Sequence, residues 1–242
     1  MHKVEQAIIM AAGLGKRMQP VTLTIPKPLI TVNGVRMIDT VIEALHKNGI
    51  YEIYVVVGYL KEQFESLEQQ YPGLKLIENP YYDNCNNISS LYVARDHIEN
   101  SIILDGDQII YNAKVLAPEF QRSGYNSVWV EEETEEWLQT VPDGIVTFCS
   151  RNGGRNGWQL YSVSRWTKQD GIKLKHHLEI EFEEKKNRDI YWDDVPMFCY
   201  PEEYRLGIYP MQQGDIIEID SFEELKAVDK SYEGYEGEKV NE

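Results

Sequence analysis

The segment Ala7 to Pro28, AIIMAAGLGKRMQPVTLTIPKP, constrains this chain more than any other. Its apolar run Ala7, Ile8, Ile9, Met10 has the character of a strand buried on both faces of a parallel sheet. Ala11, Ala12, Gly13 and Gly15 follow, and residues that small let backbone N–H groups approach a ligand closely. Lys16 and Arg17 come next, and Lys27 stands between Pro26 and Pro28. A strand end, a Gly-rich loop and fixed cations together describe a site for a polyanion such as a nucleoside triphosphate.

The loop is neither of the two commonest phosphate motifs. A Walker A loop has Ser or Thr after Gly-Lys, where this chain has Arg17, and a dinucleotide fingerprint has a third glycine where this chain has Met18. A Gly-rich βα turn that binds nothing would look similar. Pro26-Lys27-Pro28 tips the balance, because two residues of fixed φ hold a lysine backbone in place.

Beyond Pro28 the pattern predicts a short strand, Leu29 to Val32, a turn at Asn33-Gly34, and a helix on Met37, Ile38, Val41, Ile42 and Leu45 that ends at Gly49. Ile53 to Val57, Leu74 to Ile77 and Ser101 to Leu104 read as further buried strands. A helix from Lys61 to Tyr71 and another capped by Ser89 or Ser90 lie between them. Alternation at this spacing implies an α/β fold, a Rossmann-like doubly wound, mostly parallel sheet with helices on both faces. Ligands bind such sheets at the carboxyl ends of the strands, which gathers the Gly-rich loop, Gly58-Tyr59, the Asn87–Ser90 loop and Asp105-Gly106-Asp107 on one edge.

The second half changes character. Strands at Ser127 to Glu131, Ile145 to Ser150 and Trp158 to Val163 precede a helix from Lys168 towards Lys185; strands at Leu206 to Tyr209 and Ile216 to Asp220 follow. Ser221 caps a last helix with Glu224 as its capping-box partner. The expected organisation is one domain over 1–232: a nucleotide-binding half (1–125), a small acceptor-binding β/α lobe (126–215), and a metal strand with the C-terminal helix (216–232). A flexible tail, 233–242, is expected after it.

The chain carries 40 acidic and 24 basic residues, a net charge of −16. Such a surface repels nucleic acid and anionic membrane, and no apolar run approaches the ~20 residues of a membrane span. A nucleotide site on it must be locally cationic or carry a metal. The three cysteines, Cys85, Cys149 and Cys199, lack metal-ligand spacing and read as reduced thiols. With no signal peptide visible ahead of the first strand, a cytoplasmic location is expected.

Asp107 follows a strand and a glycine, which directs its carboxylate to the sheet edge beside the phosphate loop and makes it a candidate Mg²⁺ ligand. A second carboxylate is needed. In Ile216 to Asp220, Glu218 and Asp220 share one strand face, with Asp220 the better candidate. Trp137 and Tyr191-Trp192-Asp193-Asp194 set aromatic rings among acids, the pattern that attracts a substituted ammonium. Trp129, Trp158 and Trp166 read as core.

These residues resemble the nucleotidyltransferases that join an NTP to a sugar phosphate or alcohol phosphate, through AAGLGKRM and IPKP. Gly58-Tyr59-Leu60-Lys61-Glu62-Gln63-Phe64, Asn86-Asn87 to Ser90-Leu91, Glu136-Trp137-Leu138, Tyr191-Trp192-Asp193 and Ile217-Glu218-Ile219-Asp220 are similar to the bacterial choline-phosphate cytidylyltransferases. The resemblance implies that CTP and phosphocholine give CDP-choline and pyrophosphate with Mg²⁺ as cofactor. Ala11, Ala12, Gly13, Gly15, Lys16, Gly58, Tyr59, Asn87, Ser89 and Ser90 would hold the nucleotide, and Lys27, Arg17 and Asp107 would act in catalysis. Asp107, Asp220 and Glu218 would hold the metal, and Trp137, Tyr191, Trp192 and Asp193 the choline end. Ile145 to Arg155 matches little in that family. Other amino-alcohol phosphates or phosphonates, such as 2-aminoethylphosphonate, stand as alternative acceptors, followed by sugar 1-phosphates. A non-catalytic nucleotide sensor is the alternative of a different class.

Overall fold

The Ala7–Met10 run lies at the centre of the fold, where its lack of polar side chains fits. The computed structural model describes residues 1–235, so residues 236–242 of the expected tail lie outside the described residues. Strands β1 (Gln6–Ala11), β2 (Glu52–Val57), β3 (Leu74–Glu78) and β4 (Ser101–Asp105) are parallel and run in the order β3-β2-β1-β4. Helices α1 (Met37–Lys47) and α2 (Glu65–Gln70) cover one face, where Ile9, Ile42, Val55 and Leu67 share a core. Helices α3 (Ile88–Val93) and α4 (Lys168–Glu179) cover the other, over Ile8, Met10, Leu91 and Leu174. Successive residues of β1 enter opposite cores, which is why an apolar run is needed there. This is a Rossmann-like doubly wound α/β sheet, and its strand order reverses between β1 and β4.

Beyond β4 come β5 (Gln108–Ile110), β6 (Gly124–Val130), β7 (Leu138–Thr140), β8 (Phe148–Ser150), β9 (Gly157–Trp166), β10 (Gly207–Pro210) and β11 (Ile216–Glu218). The long strand β9 joins the two halves. Its C-terminal end pairs antiparallel with β4 through Val163↔Leu104, its N-terminal end with β7 through Leu138↔Gln159, and β6 covers its other edge. β8 extends β7, β10 lies parallel on β6, and β11 pairs antiparallel with β5. A small third core of Met18, Ile30, Ile109, Ile219 and Leu225 fastens the region of β11 to the loop after β1.

Several local expectations hold. Asn33 and Gly34 turn a short hairpin with positive φ at both positions, and Ser221 with Glu224 forms the capping box of α5 (Phe222–Val228). Others need correction. The strand expected from Leu29 begins at Thr31, because Lys27–Leu29 form a 3₁₀ turn. Ser89 and Ser90 do not cap α3. Asn87 precedes it, and the two hydroxyls are buried where they accept from Asn79 Nδ2 at 3.0 and 3.1 Å, satisfying an amide that would otherwise be orphaned. Of the strand expected over Ile145 to Ser150, only Phe148–Ser150 pairs as β8, since the Val146 N–H donates to the Leu206 carbonyl instead. The helix from Lys168 changes to π geometry over Ile180–Glu184.

The tryptophans also sort differently. Trp166 is core, but Trp129 is 47% exposed, edge-on to Trp158 on the outer strands. Trp192, expected at the choline end, is 4% exposed and packs between Tyr125 (6.2 Å, stacked) and Trp166 (6.0 Å). Burial of the indole against these rings decides its place. Trp192→Ala is accordingly expected to cost about 3–5 kcal/mol in urea unfolding; a cost below about 1 kcal/mol would place the ring outside the core.

Candidate active site

The crevice between the carboxyl ends of β1 and β4 is built first from its loop. β1 ends at Ala11, the chain passes Ala12 and Gly13, and Gly15 takes φ 60°, ψ 34°, a left-handed conformation that starts a 3₁₀ turn over Lys16–Met18. A Cβ on Gly15 would lie 2.9 Å from Thr22 Cγ2 and 3.2 Å from Lys27 Cβ, and the Thr22 hydroxyl donates to the Gly15 carbonyl at 2.9 Å. A Cβ on Gly13 would meet nothing within 4 Å. Glycine at 15 is therefore demanded by the protein, whereas glycine at 13 keeps the crevice open.

Gly58 and Tyr59 brace this loop from behind. A Cβ on Gly58 would strike the Tyr82 ring at 2.7 Å; the Tyr59 N–H donates to the Ala12 carbonyl (3.2 Å) and its hydroxyl to the Thr22 carbonyl (2.8 Å).

Lys27, held by its prolines and the 3₁₀ turn, is 8% exposed and points at two acids. Its Nζ lies 2.6 Å from Asp107 Oδ2 and 2.9 Å from Asp220 Oδ1, and Arg17 Nη2 is 3.2 Å from the same Asp220 oxygen. Burial alone would lower the lysine pKa, but the two carboxylates outweigh it and hold it above its usual value. Burial likewise opposes ionisation of Asp220, yet Lys27 and Arg17 keep its pKa below the usual carboxylate range. Gly106, whose Cβ would lie 3.1 Å from Ile9 Cγ2, lets β4 turn tightly enough to present Asp107. Asp220 is set by buried Ile219 and by donation of its N–H to Glu224 Oε2 at 2.6 Å.

Around this ion triad opens a cleft of about 590 Å³. Its wall carries the cations Lys16, Arg17 and Lys27 against the acids Asp105, Asp107, Glu136, Asp193, Glu218 and Asp220. Burial, reinforced by Asp107, Glu218 and Asp193, pushes Asp105 well above the carboxylate range. Burial also pushes Glu218 up to about 7, although Gln108 Nε2 donates to it at 2.6 Å. Asp193 is likewise pushed up to about 7 by burial. Acids outnumber cations six to three on this wall, an excess that favours cationic ligands.

The carboxylates suit a hard divalent ion: Asp107 and Asp220 offer oxygens that converge on one point, with Glu218 on the same wall. Among the described residues no group of three or more His, Cys, Asp or Glu side chains is arranged to hold a metal unaided. One or two carboxylates completed by substrate phosphates is the usual Mg²⁺ arrangement, so the residues fit that ion.

A second recess of about 290 Å³ shares Gly13, Asn87, Asp105 and Asp107 with the cleft and continues past Ala12, Ser89 and Ser90 to Asn79, Tyr82 and Cys85. Its size and polar rim suit a nucleobase. At the opposite end of the cleft Trp137 and Tyr191 stand edge to face, 5.9 Å between centroids at 90°, beside Asp193, Leu160 and Ser162. Asp193 Oδ1 is buried against the Tyr125 hydroxyl, which lies close enough to donate to it. Even with that hydroxyl rotated into line, the carboxylate keeps acceptor sites to spare.

The structure thus brings together Gly13, Gly15, Lys16, Arg17, Lys27, Asn87, Asp107, Trp137, Tyr191, Asp193, Glu218 and Asp220, with Ala11 at the strand end. It leaves Tyr59 behind the loop and the Trp192 ring in the core. Asp105, expected on the ligand-binding edge with Asp107, also lines the cleft, whereas Leu160 and Ser162 have only the alternation that puts them on one face of β9 as a signal.

A cationic Gly-rich loop at the switch point of a mostly parallel sheet, faced by carboxylates, is the arrangement of a nucleotidyltransferase. Residues 7–172 match the MobA-like NTP transferase domain, and the chain belongs to that family, among its cytidylyltransferases. It is 40% identical to the 2-aminoethylphosphonate cytidylyltransferase of Lancefieldella rimae, over 93% of this chain and 92% of the relative. It is 33% identical to the choline-phosphate cytidylyltransferase of Streptococcus pneumoniae, over 93% and 97%. The solved structure of the CTP:phosphocholine cytidylyltransferase from S. pneumoniae superposes with a TM-score of 0.87 at 32% identity, covering 95% of this chain and 99% of that one.

Because Gly15 is left-handed and crowded by Thr22 and Lys27, Gly15→Ala is expected to destabilise the fold by about 1–2 kcal/mol from backbone strain alone, measured by urea denaturation. Unchanged stability would mean that the loop does not hold this conformation.

Proposed function

We propose that the protein transfers CMP from CTP to a small acceptor with a phosphonate or phosphate at one end and a primary ammonium at the other, the 2-aminoethylphosphonate class. The observation that carries this is the Asp193 carboxylate, which lines the aromatic end of the cleft and has no lysine or arginine paired with it among the described residues. A desolvated carboxylate without a counter-charge is costly. A primary ammonium brings three N–H donors, whereas a trimethylammonium brings none. Withdrawal of Trp192 into the core also leaves Trp137 and Tyr191 as the aromatic wall, fewer rings than a quaternary ammonium cage would use. Phosphocholine is the second reading, favoured by that remaining edge-to-face pair and by the S. pneumoniae relative.

In this scheme the Gly13–Arg17 loop holds the triphosphate and the recess at Asn87, Ser89 and Ser90 receives the base. The acceptor oxyanion is already nucleophilic. It attacks the α-phosphorus in line, the bond to the β-phosphate oxygen breaks, and pyrophosphate leaves without a covalent enzyme intermediate. Lys27 and Arg17 neutralise charge that builds on the α-phosphate and leaving group, and Asp193 orients the acceptor by its ammonium. Asp107 and Asp220, with Glu218 beside them, would hold Mg²⁺, which when bound adds further charge neutralisation at the phosphates. No serine, cysteine or histidine nucleophile is required. Among the described residues no helix is long and apolar enough to cross a membrane.

Pyrophosphate release from CTP with a panel of acceptors tests this directly. 2-Aminoethylphosphonate is expected to exceed phosphocholine by at least ~10-fold in kcat/KM, with turnover lost in EDTA. The reverse order would assign phosphocholine, and silence with every acceptor would refute cytidylyl transfer to this class.

The acid at the ammonium end gives a pH signature. Asp193, pushed up to about 7, loses its charge below that pH, so kcat/KM for the amino acceptor is expected to fall as pH drops through this range. Asp193→Asn should raise the acceptor KM at least ~10-fold, leave the KM for CTP within about twofold, and flatten the part of the profile specific to the acceptor. Equal effects on both substrates would remove Asp193 from the acceptor end.

A further inference from the structure

The stretch Ile145–Arg155, which shows little resemblance by motif, contains a side chain tied to the acceptor end. Arg151 follows β8 and does not line the cleft itself. Its Nη2 donates to Asp194 Oδ1 at 2.5 Å, and its guanidinium lies 4.0 Å from the Phe198 ring centroid and 5.7 Å from that of Trp137. Phe198 in turn meets Trp137 edge to face at 5.4 Å. The other oxygen of Asp194 accepts the Tyr191 N–H at 2.9 Å, and the Asp194 N–H donates back to the Tyr191 carbonyl at 3.1 Å. One guanidinium therefore braces the turn that carries Tyr191 and Asp193 into the cleft and the ring, Trp137, that faces them.

We propose that Arg151 is a positioning residue for the ammonium end of the acceptor, neutralising Asp194 so that Asp193 alone is left to bind the substrate cation. Asp194 is 3% exposed and adjacent in sequence to Asp193. Two neighbouring carboxylates in a desolvated wall cannot both keep their charge without a counter-ion. Burial raises the Asp194 pKa, and the Tyr191 N–H and Arg151 oppose that rise. Without the guanidinium, Asp194 must either take a proton, which weakens the bond its other oxygen accepts from the Tyr191 N–H, or turn outward, which breaks it. Arg is suited to both tasks, since its planar group pairs with a carboxylate and lies against rings at the same time. As a specificity device this works at a distance: Arg151 does not line the cleft, yet the spacing of Asp193 from Trp137 depends on it.

The proposal rests on the acceptor end assigned above, so the test has one arm that needs no acceptor. In the ligand-free protein, hydrogen exchange across residues 190–199 is expected to speed up at least ~10-fold in Arg151→Met, with the peptides around Gly13–Arg17 unchanged. In steady-state assays with whichever amino acceptor the wild-type enzyme uses, Arg151→Met should raise the acceptor KM at least ~10-fold while the KM for CTP stays within about twofold. Arg151→Lys, which keeps the charge, should recover part of the loss. Arg151→Met combined with Asp194→Asn should fall closer to wild type than Arg151→Met alone, because it removes the unpaired charge. Unchanged exchange at 190–199, or a double variant no better than the single one, would overturn the proposal. So would parallel rises in both KM values with a lowered Tm, which mark a merely structural arginine. Wild-type protein that turns over no amino acceptor would sink the proposed function, and the exchange arm would still decide the role of Arg151.

Discussion

The pairing of the Lys27 ammonium with Asp107 and Asp220 is the interaction on which the site depends. An ammonium as buried as this one is costly unless its partners are close and well aimed, and here two carboxylates stand within 3 Å of it. The three residues come from the end of the Gly-rich segment, the turn after β4 and the segment after β11, which lie far apart in sequence. Their pairing therefore closes the nucleotide edge of the sheet and fixes where β11 and α5 sit. Placing the lysine between two prolines makes sense in this light: its backbone is set in advance, so less freedom is lost when the side chain is fixed. The same two carboxylates are the oxygen pair that suits a divalent ion. Lys27 Nζ lies at the point on which they converge.

Charge also divides the cleft into zones. Three cations cluster at the loop end, while the acids spread from the metal side to the aromatic end. The fields are not redundant, because each acid has a different environment. Asp220 is held ionised by Lys27 and Arg17, whereas burial pushes Glu218 and Asp193 to about 7. Carboxylates in one cleft with such divergent ionisation can serve different ligands. Asp220 is kept ionised by its cation partners, whereas the charge of Asp193 depends on pH near neutrality.

Much of the nucleotide half was legible in the sequence because its signals are local. The apolar run of β1, the helical spacing of α1, the Asn33-Gly34 turn and the Ser221–Glu224 box each declare themselves within a few residues. What failed was nonlocal. Acids beside Trp192 suggested a binding ring, but which side of a turn faces the cleft is settled by Tyr125 and Trp166, distant in the chain. Ser89 and Ser90 had the composition of a cap, yet a buried amide on Asn79 claimed both hydroxyls. Tyr59 stood in the right motif, and its hydroxyl supports the loop from behind rather than from within the cleft. Arg151 gave no signal, since its partner Asp194 lies 43 residues further on.

The long strand β9 explains how two halves of different construction act on one pair of substrates. Its Val163–Trp166 end is registered against β4, which presents Asp105 and leads to Asp107, while Trp158 and Gln159 are registered against β7, which follows Trp137. Between these ends, Leu160 and Ser162 form part of the cleft wall itself. In-line transfer tolerates little error in the approach of the nucleophile, and a hydrogen-bonded strand sets the distance between the two ends far more firmly than a loop. A change of acceptor can then be accommodated on the β7–β8 side and the Tyr191–Asp194 turn without moving Lys27, Asp107 or Asp220. That separation accounts for a relative named for 2-aminoethylphosphonate and another named for choline phosphate both aligning with this chain over nearly its whole length.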